Sequence, residues 1–331
     1  MKMKPALKMK CSLSLALSLC ACGLPEIQEE VSTPENSGAC STATLSLVNG
    51  LESSEHPAVG LFLRLNSMRT LAVGACTGTF VDSTTMITSA HCVDASENGG
   101  VIFVPGEAPN LSNPNFKSVS ALKVFHLGLT HEDFVDGDSS VEVRAKDLAV
   151  VVFPEGTAPG VAGLAAARPA PGSRVTMVGY GSTQWVDAVG TSTTPRKRVG
   201  TNLVQSVSGE GFSDLFVDVG FVSAEESDAK AVDGSAAMAS RGDSGGPILM
   251  NGMIAGVASQ AGATGDSPML YFASYVSPLS PEATNLFEAA RKGGAVIPEP
   301  GVAPMMPVPP TELPEQKAKS ASPATQAPDC L

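Results

Sequence analysis

Three short segments carry side chains suited to one kind of chemistry. Gly242-Asp243-Ser244-Gly245-Gly246-Pro247 sets a serine on a glycine-rich turn beside a carboxylate, Thr88-Ser89-Ala90-His91-Cys92 offers an imidazole, and Asp147-Leu148-Ala149-Val150 offers a carboxylate ahead of an apolar run. A serine hydroxyl is a poor nucleophile at neutral pH. It needs a base within hydrogen-bond reach and a buried carboxylate to hold that base in the right tautomer. It also needs N–H donors aimed at the oxyanion that forms on the attacked carbonyl. A turn such as Gly242–Gly246 can offer the N–H groups of Gly242 and Ser244 together, since glycine lets the backbone take strained angles and leaves room for a substrate.

Histidine order tests this reading independently. The chain has four histidines, His56, His91, His126 and His131, and all precede Ser244. The turn also fits the looser pattern G-x-S-x-G, but the α/β-hydrolases that use it order their groups Ser, acid, His. With no histidine after Ser244, an esterase of that kind is excluded. Taken one at a time, His91 reads equally as a surface histidine, Asp147 as a strand-edge residue and Gly242–Pro247 as an ordinary turn. His126 and His131 read as solvated, and His56, before Pro57 in a turn, has no assigned role.

The three segments resemble the histidine, aspartate and serine motifs of the trypsin and chymotrypsin family, in that family's order. Leu47-Val48-Asn49-Gly50 is similar to its mature N-terminus. Cys76-Thr77-Gly78-Thr79-Phe80 is similar to the strand that pairs with the histidine loop, and Val178-Gly179-Tyr180-Gly181 to a signature of the second barrel. The resemblance runs from about Leu47 to about Lys292. It implies His91 as general base, Asp147 as its orienter, Ser244 as nucleophile and the N–H groups of Gly242 and Ser244 as oxyanion hole. It implies a Cys76–Cys92 disulfide bracing the histidine loop. It also implies an activation pair, the amine of Leu47 freed by cleavage and the carboxylate of Asp243. Ser46 stands where trypsin-activated relatives carry Arg or Lys, so the activating protease is expected to prefer small residues, the enzyme itself included.

The resemblance places Met238 at the base of the substrate pocket, Ser259 and Ala261 on one wall and Met269 on the other. An uncharged, shallow pocket of this kind suits small or medium apolar side chains before the scissile bond. Ser259 also helps to hold Asp147. For Met238 and Met269 the alternative is ordinary core packing.

The elements that must position these groups read as all-β. Short apolar runs such as Val101–Val104, Leu148–Phe153, Val175–Val178, Leu215–Val219 and Met253–Ala258 alternate with Gly, Pro, Asn and Ser turns. The roughly 245 residues from 47 to 292 suit two six-stranded antiparallel β-barrels (about 47–155 and 156–292) with the site in the cleft between them. Pro154–Pro171 is the expected crossover. Pro281-Glu282-Ala283-Thr284 opens a short C-terminal helix ended by Gly293-Gly294. Residues 293–331 read as a proline-rich disordered tail.

The front end reads as an export signal. Lys2, Lys4, Lys8 and Lys10 precede an apolar stretch, Cys11–Ala21, too short to span a membrane. Residues 1–21 are thus expected to be a signal peptide and 22–46, rich in Pro, Glu, Ser and Thr, a flexible pro-segment. Leu19-Cys20-Ala21-Cys22 resembles a bacterial lipobox, which would make Cys22 a lipidation site and the membrane a partner only through that anchor. An ordinary signal peptide is the alternative. Export to the periplasm, outer membrane, cell surface or medium implies an oxidising compartment. There Cys40 and Cys330 are hypothesised to pair, keeping the pro-segment attached after cleavage. Loss of four lysines with residues 1–21 takes the net charge from −12 to −16, a poor match to nucleic acid.

The expected partners are therefore polypeptide substrates and an activating protease. No cofactor and no metal are expected, and the acidic clusters Glu132-Asp133 and Asp136-Gly137-Asp138 read as solvated turns. The reading from another class is a non-catalytic relative that binds protein with the same barrels.

Overall fold

The computed structural model describes residues 47, 49–69, 72–93, 100–129, 145–181, 195–208, 216–223, 234, 237–264 and 270–304. Cys22, Cys40, Cys330 and Met269 lie outside them, as do the signal and pro-segment expectations. The chain divides after Thr42, and every described residue belongs to the unit that follows.

Seven strands make one antiparallel sheet: β2 (Val59–Leu65), β3 (Ala72–Phe80), β4 (Thr85–Thr88), β5 (Val101–Val104), β6 (Val119–Ser120), β7 (Lys123–His126) and β8 (Ala149–Val152), in the order β6-β5-β2-β3-β4-β8-β7. Its two edges are halves of one bent strand. The N–H of Ala121 donates to Val101 of β5 and that of Leu122 to Val152 of β8, so the chain leaves β6 and enters β7 while stitching both edges together. The result is a closed ring of six strand positions.

The second sheet holds β9 (Arg174–Gly179), β10 (Arg198–Ser208), β11 (Phe216–Ser223), β12 (Pro247–Met250), β13 (Met253–Thr264) and β14 (Leu270–Val276). It closes through the β9–β10 pairing. The two-residue strand β1 (Leu51–Glu52) pairs with β10, so the start of the domain joins the second barrel, not the first. Both barrels and the all-β class agree with the sequence.

Alternation sorts the side chains. On β8, Ala149 and Val151 enter the first-barrel core with Phe62, Phe80, Phe103 and Phe153. Their neighbours Val150 and Val152 face a second cluster that also takes Val178, Leu249, Ile254 and Val257 of the second barrel. Both faces of β8 are therefore buried, which is why Leu148–Phe153 reads as an unbroken apolar run. Phe80 and Phe103 meet edge to face at 5.1 Å between centroids, the geometry that ring quadrupoles favour.

Helix α1 (Pro281–Lys292) follows its sequence signals. Ser280 caps it by accepting the Ala283 N–H at 2.9 Å, and Pro281 occupies the first turn, where its missing N–H costs nothing. Its Ala283, Leu286, Phe287 and Ala290 join the shared cluster.

The chain departs from expectation after the helix. Residues 293–304 are packed, not a free tail. Ala295 and Ile297 are buried, Arg291 donates to the Ile297 carbonyl at 3.0 Å, Val296 N–H reaches Thr85 Oγ1 at 3.0 Å, and Gly301 N–H reaches the Leu164 carbonyl at 2.8 Å. Proline-rich composition without periodicity conceals such a strap, because its few anchors follow no repeat.

Candidate active site

Pairing of β4 with β8 brings the first two groups together. Thr88 lies opposite Ala149, so the turn Ala90–Cys92 that follows β4 meets the residue two places before β8. His91 Nδ1 lies 3.0 and 2.9 Å from the two oxygens of Asp147, and the His91 backbone N–H donates to Asp147 Oδ1 at 3.0 Å. Asp147 is fully buried, while the His91 side chain keeps one-tenth of its surface open. From β13, Ser259 Oγ donates to Asp147 Oδ2 at 2.6 Å. Three donors meet this buried carboxyl group, and its grip fixes the ring's orientation.

The Ser244 turn immediately precedes β12 and extends the β12–β13 ladder. Gly245 N–H donates to the Ala258 carbonyl at 2.7 Å, and Ala258 N–H donates to Gly246 at 2.8 Å. Four contacts tie this turn and its second-barrel neighbours Ala258 and Tyr180 to the first barrel. Thr77 N–H donates to the Ser244 carbonyl at 2.9 Å, Thr77 Oγ1 donates to the Gly242 carbonyl at 2.9 Å, and Ser89 Oγ donates to Ala258 at 2.5 Å. The fourth runs from Tyr180 N–H, which donates to Thr77 Oγ1 at 3.1 Å. At Gly245 (φ 80°) a Cβ would overlap Thr88 Oγ1 and the Thr77 carbonyl, so the close approach of the two segments demands glycine. The Ser244 turn thus sits against the strand and loop that carry His91.

Sequence reading assigned no part to Thr77, Thr88, Ser89 or Gly181. The polar bonds of Thr77, Ser89 and Gly181 reach residues far away in the chain, a distance that no local pattern encodes.

Asp243 points inward and is buried. It accepts N–H groups from Ser240 and Gly181, both at 2.8 Å, and from the backbone of Leu47. The glycines at 179 and 181 make the cradle, since a Cβ at either would overlap this carboxylate. Burial pushes the Asp243 carboxyl up to about 7, against the pull of the three N–H bonds. Leu47 is buried beside it in the second-barrel cluster.

Of the residues expected to line a pocket, Met238 lies in that same cluster with Met177, Ala258, Ala273 and Tyr275, and is 2% exposed. Ala261 is exposed at the end of the Ser259 segment. The register of β13 and β14 places Ala273, not the Pro268–Tyr271 segment, opposite Ala261. The ladder continues through Ala263–Tyr271 to Thr264–Leu270. The Tyr275 hydroxyl accepts the Ala239 N–H and donates to Met177 Sδ at 2.8 Å.

The Cys76–Cys92 disulfide is formed, bracing β3 against the histidine turn. With His91 these sulfurs are the described trio within 4.8 Å that a metal would need, but bonded sulfurs are not thiolates and the donor set does not suit an ion. His126 is partly exposed, its Nδ1 accepting Gly128 N–H at 3.2 Å, and His131 lies outside the described residues.

Two closed antiparallel barrels, with imidazole and carboxylate from one and a serine turn from the other, define the class of double-barrel serine proteases. The family model Trypsin matches residues 52–281, and the chain belongs to this family. Among solved structures it is similar to the scabies mite inactivated protease paralogue S-D1. The TM-score is 0.51 at 16% identity, over 76% of this chain and 100% of that one. It is also similar to neuropsin, a serine protease expressed in the limbic system of mouse brain. There the TM-score is 0.50 at 16% identity, over 75% of this chain and 99% of that one. At these identities the likeness shows the fold. No curated protein matches the chain.

Proposed function

We propose that the protein is an exported serine endopeptidase that hydrolyses peptide bonds through an acyl-enzyme, with His91, Asp147 and Ser244 as its triad. The observation that carries this reading is the His91 ring gripped by a fully buried Asp147 at 2.9–3.0 Å. A carboxylate on Nδ1 leaves Nε2 to take the Ser244 proton as the hydroxyl attacks the carbonyl and to return it to the leaving amine. Within the turn the carbonyls of Ser240, Gly242, Asp243 and Ser244 are each engaged by a donor. This supports the N–H groups of Gly242 and Ser244 as the oxyanion donors. The family's fold is also that of an inactivated paralogue, so the fold does not separate a peptidase from a binding module. The retention of all three side chains favours the peptidase.

Purified protein treated with a serine-reactive phosphonate tests this. Stoichiometric labelling that Ser244→Ala abolishes is expected; equal labelling of that variant would refute the assignment.

The substrate pocket is proposed to be apolar and shallow, with Met238 at its base and Ala261 facing Ala273. Small or medium apolar residues before the scissile bond fit it, though single-methylene preferences are worth only about 1–3 kcal/mol. Fastest cleavage after Arg or Lys in a peptide series would overturn the pocket assignment.

The formed disulfide supports an oxidising compartment, and residues 1–21 are proposed to be the signal that leads there. Cys22 is proposed to carry lipid, and Cys40 to pair with Cys330. Cleavage before Leu47 would turn the amide that faces Asp243 into an ammonium. Loss of the pro-segment from cleaved protein without reductant would exclude the Cys40–Cys330 bond.

A further inference from the structure

Leu47 already occupies its seat while joined to the residues before it. Its side chain is 1% exposed in the second-barrel cluster, its carbonyl accepts the Gly50 N–H at 2.8 Å, and its backbone N–H serves Asp243. That N–H belongs to the Ser46–Leu47 peptide bond. Seating therefore needs no chain end. What the amide lacks is positive charge.

The groups facing Asp243 come from four directions. They are the Ser240 N–H of its own turn, the Gly181 N–H after β9, the Leu47 N–H of the N-terminal arm, and the phenol of Tyr275 on β14. The phenol is the titratable side chain among the described residues that bears on it. Burial pushes that phenol upward too, so it stays neutral and supplies no counter-charge. A buried carboxylate without a cation is penalised; a carboxylic acid in the same place is not.

We infer that the uncut chain assembles the competent Ser244 turn by itself, with a proton on Asp243 standing in for the ammonium that cleavage before Leu47 would create. This rests on the peptidase reading above. Cleavage then does not build the site; it extends the pH range over which the site holds.

The sign follows from linkage. Seated, Asp243 keeps its proton up to about 7, whereas its ordinary value is 3.8. Between those limits the seated form binds more protons, so seating weakens as pH rises, by up to about tenfold per pH unit, and levels off above them. In the cut chain an ammonium pairs with the carboxylate and seating persists until the amine loses its proton, ordinarily near pH 8.

The test compares two full-length proteins on one peptide substrate from pH 5 to 8. The uncut form carries Ser46→Pro. The cut form carries the recognition sequence of a site-specific protease at 43–46 and is processed so that Leu47 is its first residue. The uncut-to-cut ratio of kcat/KM is expected to rise at least tenfold between pH 7 and pH 5. Leu47→Pro in the uncut protein, which removes the N–H, is expected to lose that acid-side activity, while Leu47→Met retains it. A pH-independent ratio, or an uncut protein silent at every pH beside an active cut one, overturns the inference and leaves the peptidase reading standing. Failure of the cut protein to react with the phosphonate overturns both.

Discussion

Ser259 touches no reacting atom, yet it completes the shell around Asp147. Its hydroxyl is the one side-chain donor besides His91 that meets this carboxylate among the described residues, at 2.6 Å. Ser259→Ala would leave a buried anion one bond short, a loss of about 1–3 kcal/mol. If the deficit is felt as the imidazolium forms, kcat should fall about 5- to 160-fold with KM nearly unchanged. Steady-state kinetics on a peptide substrate would show it; a rise in KM at constant kcat would mean that Ser259 serves the pocket instead. The pairing of His91 with Asp147 was legible because both sit in compact local motifs whose order relative to the Ser244 turn excludes an α/β-hydrolase. Thr77 was not. Its role depends on the Gly242 carbonyl, 165 positions away, and a threonine in a strand advertises nothing beyond β propensity.

The strap after α1 shows where element-level reading fails. Gly293 and Gly294 end the helix as their residue types suggest, but the following prolines lack the N–H groups that announce a regular element. Only two side chains, Ala295 and Ile297, enter the shared cluster. Ile297→Ala should therefore cost about 2–4 kcal/mol of unfolding free energy. Val296→Ala, at a side chain 53% exposed, should stay within about 0.5 kcal/mol. The ion pair of Arg291 with Glu299 at 3.0 Å is largely open to water and adds little. Urea denaturation of the two variants decides, and equal midpoints would reduce the strap to a surface decoration. Helix and strands were legible from caps and alternation. The far end of the β13–β14 ladder was not, because Gly262, Ala263 and Thr264 carry no apolar run that marks a strand.

The two barrels share an interior. One cluster runs from Ala58, Leu148 and Val150 of the first through Val178, Ile254 and Val257 of the second to Leu286 and Phe287 of α1. Length and strand pattern made two barrels legible. They did not reveal this common core, nor that β1 crosses to the second barrel, since both depend on tertiary pairing. Barrels that share buried side chains lose them together. The processed protein should unfold in one calorimetric transition, with calorimetric and van't Hoff enthalpies equal, and two resolved peaks would contradict a joint core.

The acid side of that stability has an identifiable contributor where the barrels are tied. Lys197, 3% exposed just before β10, directs its ammonium to the His56 carbonyl at 3.4 Å, and its N–H donates to the Glu107 carbonyl of the first barrel at 2.7 Å. Burial lowers the pKa of the His56 imidazole; Glu55 partly opposes this and the Lys197 charge adds to it. The unfolded chain therefore takes up this proton first as pH falls from the ordinary value of 6.5, and stability drops through that window. His56 has a φ of 55°, a left-handed conformation that asparagine tolerates better than most residues. His56→Asn should thus fold, and its melting temperature should decline less than the parent's between pH 7 and pH 5. Parallel declines in the two proteins would show that His56 does not contribute to the acid sensitivity of the inter-barrel tie.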